Sequence, residues 1–97
     1  MAGYLVAHLE VTDPKAFERY RAAVPAVIER FGGRYLIRGG TAQAVEGDWT
    51  VPRLIVLEFP SAERSREFYD SRAYQEILPL RLAASKGTVA IVEGYTG

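Results

Sequence analysis

Tyr4-Leu5-Val6-Ala7-His8-Leu9-Glu10-Val11 alternates in steps of two: Leu5, Ala7, Leu9 and Val11 make an apolar face, and Tyr4, Val6, His8 and Glu10 a mixed one. That is the pattern of a half-buried strand. Asp13-Pro14 ends it and starts a helix. An aspartate there accepts from open backbone N–H groups, and a proline at the first helical position gives up no useful donor. Phe17, Tyr20, Val24, Val27, Ile28 and Phe31 then recur at three- and four-residue steps, one stripe of an amphipathic helix. Gly32-Gly33 supplies the turn that stops it.

Downstream, Arg34-Tyr35-Leu36-Ile37-Arg38 is a second strand that Gly39-Gly40 bends or bulges, with pairing expected to resume through Thr41 to Glu46. Gly47-Asp48 opens a loop, and Arg53-Leu54-Ile55-Val56-Leu57-Glu58-Phe59 is a β-rich third strand. Ser61 caps a short helix containing Phe68 and Tyr69, and Ser71 caps a second helical piece with Tyr74, Ile77, Leu78 and Leu82. Pro79 is expected to kink or shorten that piece. Gly87 resets the chain for a last strand, Thr88 to Glu93. The order β-α-β-β-α-β predicts an α+β, ferredoxin-like fold, a four-stranded antiparallel sheet with its helices on one face, as a single domain over residues 1–97.

Such a sheet leaves its other face bare. Tyr4, Val6, His8 and Glu10 belong there, with Arg34, Leu36 and Arg38 from the second strand and Leu54, Val56 and Glu58 from the third. Two arginines four apart on a strand point the same way and suit helix packing poorly. A face this apolar favours cover, and a homodimer closing two such sheet faces on one another is the economical solution.

Composition removes several classes of function. The 97 residues are 48% hydrophobic and 25% charged, which is globular chemistry. Twelve basic residues balance twelve acidic ones, so the basic surplus of a nucleic-acid reader is missing. Without cysteine there is no disulfide and no thiolate chemistry. No apolar run approaches the roughly 18 residues of a membrane span, and no signal-peptide pattern opens the chain, so a cytoplasmic domain with no membrane partner is expected. Neither a Walker motif nor a dinucleotide fingerprint accompanies the glycine pairs, and one histidine makes no metal set; no cofactor and no metal are expected.

Taken over nearly its whole length, the chain resembles the domain of unknown function 1330 family, a branch of the dimeric α+β barrel superfamily. The resemblance rests on Val11-Thr12-Asp13-Pro14, on Gly32-Gly33-Arg34-Tyr35-Leu36-Ile37-Arg38-Gly39-Gly40, and on Glu46-Gly47 with Trp49. It continues through Glu58-Phe59-Pro60-Ser61, Tyr69, Ser71, Tyr74-Gln75 and Arg81 to Val92-Glu93-Gly94. It implies the fold, a homodimer and a pocket between sheet and helices, and no established reaction. Relatives by architecture include cofactor-free oxygenases and isomerases.

His8 is the candidate for proton transfer, since an imidazole titrates near neutrality; the plainer alternative is a hydrogen-bonded histidine at a dimer-facing sheet. Arginine outnumbers lysine ten to two, and Arg34, Arg38, Arg53 and Arg81 fall in or near elements. Arginine suits bidentate carboxylate recognition, so Arg38 and Arg81 are candidates to grip a small organic acid; pairing with Glu46, Glu58 or Glu93 is the competing use. Tyr69 and Tyr74 are candidates to donate to, or stack on, that ligand, or simply to pack the second helical region. His8, Arg38, Tyr69, Tyr74 and Arg81 are expected to converge at one end of the sheet. The expected function is a homodimer that binds a small anionic or aromatic metabolite beside the sheet, with two alternatives: a cofactor-free enzyme of oxygenase or isomerase type using His8 for proton transfer, and a non-catalytic regulatory or interaction module.

Overall fold

Seven elements follow one another: β1 (Gly3–Val11), α1 (Pro14–Arg30), β2 (Arg34–Gly40), β3 (Leu54–Phe59), α2 (Ala62–Asp70), α3 (Arg72–Ala84) and β4 (Ser85–Glu93). The structure is a computed structural model and describes residues 1–40, 42–50 and 53–95. The strands make one antiparallel sheet in the order β2-β3-β1-β4, as the β-α-β-β-α-β pattern predicts. The second helical region is two helices in succession. β1 lies inside the sheet, and its Leu5, Ala7 and Leu9 are buried under the helices.

The helix starts follow from local chemistry. The Asp13 carboxylate accepts from the Ala16 N–H at 3.1 Å ahead of Pro14. The Ser61 hydroxyl accepts from Arg64 N–H at 3.0 Å, and the Ser71 hydroxyl from Tyr74 N–H at 3.1 Å. Each cap satisfies an N–H that the helix itself cannot, worth about 1 kcal/mol. Pro79 does not shorten α3, which runs on to Ala84. A proline removes one hydrogen bond, and the buried side chains Tyr74, Leu78, Arg81 and Ala84 hold the helix down on either side of it.

The apolar stripe of α1 (Phe17, Tyr20, Val24, Val27, Ile28) meets the sheet's Leu5, Ala7, Leu9, Leu57 and Phe59. Phe68 of α2 joins them, its ring 5.1 Å from Phe59 and 4.7 Å from Tyr74. Phe59 and Phe68 are each 1% exposed, and burial of such a side chain is worth about 1.5–3 kcal/mol.

On the bare face, Tyr4, Val6 and His8 pair with Glu58, Val56 and Leu54 of β3 and with Val92, Ala90 and Thr88 of β4. This is the face assigned to them from the alternation. β2 departs from its expected alternation. Arg34 pairs with Glu58 and Tyr35 with Leu57, but Ile37, not Leu36, pairs with Val56. Leu36 is the extra residue of a bulge, and every later side chain of β2 changes face. Arg38 therefore stands opposite Ile55 on the helix-covered face, correcting its placement beside His8. A second irregularity follows at Gly39, whose φ of 74° is left-handed and which lies against the Arg53 guanidinium. Residues 42–46 form no strand, so the pairing does not resume there; Thr41 lies outside the described residues.

Candidate functional site

Between the helices and the covered face of the sheet lies a cavity of about 40 Å³, walled by Tyr20 and Val24 of α1, Tyr35 of β2, and Tyr74 and Arg81 of α3 over an apolar sheet floor. One ordered water needs about 10–15 Å³, so a small polar group fits. The spacing of α3 explains its polar wall. Tyr74, Leu78 and Arg81 are separated by four and three residues and share the buried stripe. A charged residue thus occupies a core position.

Arg81 is 6% exposed, its Nε is buried without an acceptor, and among the described residues no carboxylate pairs with it. Guanidinium stays charged at any physiological pH. An uncompensated buried charge costs several kcal/mol, so this arginine is poorly explained as a packing residue.

Tyr20 and Tyr74 place their hydroxyls 2.9 Å apart at the same cavity. One O–H donates to the other, which leaves the second hydroxyl proton for a third group. Burial pushes the Tyr20 hydroxyl well above its ordinary 10.0, Tyr74 adds to the effect, and the Arg81 charge opposes it. Tyr20 is therefore a neutral donor at physiological pH. One guanidinium and one phenolic O–H in apolar surroundings suit an oxyanion.

A second cavity, about 20 Å³, adjoins the first and shares Tyr20, Val24, Tyr35 and Ile55 with it; Phe17, Arg21, Arg38 and Arg53 complete its lining. Arg38 lies over the Tyr35 ring at 4.5 Å and donates to the Arg21 carbonyl at 3.2 Å. Pro25, four residues after Arg21, has no N–H to give that carbonyl, so the strand arginine takes the place of a helical donor. Arg53 lies over the Phe17 ring at 5.3 Å, and its Nε is buried with no acceptor among the described residues. Burial raises the Tyr35 hydroxyl pKa, opposed by the charges of Arg38 and Arg21.

Of the five residues expected to converge, the fold brings Tyr74 and Arg81 together in one cavity and sets Arg38 at the adjoining one. Tyr69 packs its ring 5.4 Å from Tyr74 but faces a separate groove with Arg66 and Val89. His8 does not join them. It is half-buried on the opposite sheet face, in a groove with Glu10, Lys86 and Thr88. The anticipated internal pairing occurs for Arg34, whose guanidinium is 2.7 Å from Glu58, and among the described residues not for Arg38, Arg53 or Arg81. Tyr20, read from sequence as core, is both core and site. Its polar tip on an apolar stripe was the signal, because a buried tyrosine hydroxyl needs a partner. Tyr35 carried no comparable signal. Among the described residues no three His, Cys, Asp or Glu side chains group closely enough to hold a metal, and no helix is long and apolar enough to cross a membrane.

Among solved structures, the chain is similar to a protein of unknown function from Rhodopseudomonas palustris, 17% identical with a TM-score of 0.78, covering 99% of this chain and 84% of that one. It is also similar to a dimeric ferredoxin-like protein of unknown function from Jannaschia sp. CCS1, at 15% identity and TM-score 0.62 over 99% of this chain and 100% of that one. A third likeness is to SnoaB, a cofactor-independent oxygenase from Streptomyces nogalater, 13% identical with TM-score 0.62 over 99% and 95% of the two chains. At these identities the likeness is one of fold. No curated protein matches the sequence. The family model described as Domain of unknown function (DUF1330) matches residues 2–95, nearly the full length, and the chain belongs to that family.

Proposed function

We propose that the protein binds a small organic acid in the cavity between sheet and helices, its carboxylate held by Arg81 and by a hydroxyl of the Tyr20–Tyr74 pair. The buried Arg81, whose guanidinium has no carboxylate partner among the described residues, carries this reading. The cavity is too small for a ring system unless side chains move, so a slender aliphatic acid fits better than an aromatic one. The test is calorimetric titration with butyrate and with its neutral isostere butyramide. Butyrate is expected to bind and butyramide not to, and Arg81→Met is expected to abolish binding. Equal binding of the amide, or unchanged binding by the variant, would sink the proposal. Within one protomer the sheet stands between His8 and this cavity, so binding, rather than proton transfer by His8, is the function the geometry favours.

The same reading makes the bare sheet face the contact between two copies of the chain. Leu36 is 45% exposed, Ile37 38% and Val92 45%, with Val6 and Val56 half-buried beside them. The dimeric ferredoxin-like neighbour supports a pairing of this kind. Light scattering should give twice the chain mass, and Val6→Asp should halve it or prevent folding, because a carboxylate buried there has no partner. A wild type that stays monomeric at micromolar concentration overturns the dimer.

A further inference from the structure

Among the described residues, two guanidinium groups, Arg81 and Arg53, have a buried Nε without an acceptor, and they line two cavities that share Tyr20, Val24, Tyr35 and Ile55 as common wall. Arg81, 6% exposed, lines the first cavity and not the second. At the second, Arg21 and Arg38 are exposed and Arg53 is half-buried, so that end meets solvent. Arg38 spends one N–H on the Arg21 carbonyl, and Arg21 sits 3.6 Å from Glu18. That leaves Arg53 with no anionic neighbour among the described residues, its cation 5.3 Å from the centre of the Phe17 ring. Between the two ends the walls are apolar side chains and tyrosine rings. A monocarboxylate would answer one cation and leave the other as costly as before.

We infer that the ligand is a slender dicarboxylate lying along the two cavities, one carboxylate on Arg81 with the tyrosine pair and the other on Arg53 at the mouth, assisted by Arg38. This rests on the carboxylate reading of Arg81 and adds the second charge. Calorimetric titrations of the wild-type protein with butyrate, succinate and glutarate test it. At least one diacid should bind about tenfold or more tightly than butyrate, since a charge-assisted pair strengthens binding on that scale. Arg53→Gln should bring the diacid down to the butyrate level and leave butyrate unchanged. Arg53→Lys, which keeps the charge and loses the fork, should fall between them. Butyrate binding as tightly as both diacids, or an Arg53→Gln protein that keeps the diacid advantage, would overturn the dicarboxylate and leave the Arg81 site standing. No binding of any of the three acids would overturn both. The wild-type comparison decides even if the Arg53 variants do not fold.

Discussion

Replacing Arg81 by methionine should make the ligand-free protein more stable. The substitution keeps an unbranched side chain of similar reach in the stripe with Tyr74 and Leu78, so packing changes little. It removes the guanidinium of a residue that is only 6% exposed, together with a buried Nε that has no acceptor among the described residues. An unmade buried hydrogen bond alone costs about 1–3 kcal/mol. Exchange of buried ionic groups for apolar ones of similar volume is commonly neutral to stabilising, by about 1–4 kcal/mol. For a domain of this size each kcal/mol moves Tm by about 4–8 °C, so a rise of roughly 4 °C or more is expected. Scanning calorimetry at fixed protein concentration measures it, with concentration held because association shifts apparent stability. Arg72→Met is the control. Its exposed pair with Glu76 should be worth no more than about 1 kcal/mol. A fall in Tm for Arg81→Met of more than a few degrees would show that the guanidinium is compensated within the fold. It would then be structural, and the reasoning that makes it a ligand group would fail.

Tyr20 predicts a pH dependence. Its hydroxyl pKa is raised in the folded chain, so its contribution to stability is whole below the unfolded value of about 10 and is lost as pH rises above it, at up to about 1.4 kcal/mol per pH unit. Urea unfolding of wild type between pH 9 and 11 should therefore fall more steeply than that of Tyr20→Phe; parallel curves would show the hydroxyl is not shielded. Gly3 begins β1 where a Cβ would collide with the Ala62 backbone at the start of α2. Gly3→Ala should cost about 1–3 kcal/mol or more in urea unfolding, and a neutral result would mean that α2 sits further from β1 than it does here.

The fold was legible because its signals are local. The period-two alternation of β1, the Asp13-Pro14 start of α1, and the serines at 61 and 71 each act within a few residues, and the order of elements then leaves few ways to pair four strands. The candidate site was legible in residue type and not in arrangement. Tyr74 and Arg81 were identified as a tyrosine and an arginine near one helix, and α3 does bring them to one cavity. Arg38 was assigned by counting along an unbroken strand, and the extra residue Leu36 turned it to the other face, away from His8. Whether a bulge forms there depends on how β2 docks on β3, an energy shared between segments that lie far apart in the chain. Pairing of arginines has the same character. The chain contains as many acids as bases, and only the docking of β2 on β3 gives Glu58 to Arg34, while the packing of α3 buries Arg81 with no acid beside it among the described residues. The sequence by itself determined the elements and their order, because propensity, caps and periodicity are short-range. The tertiary structure alone decided which charges meet, because burial and pairing are set by side chains that the fold brings together from distant parts of the chain.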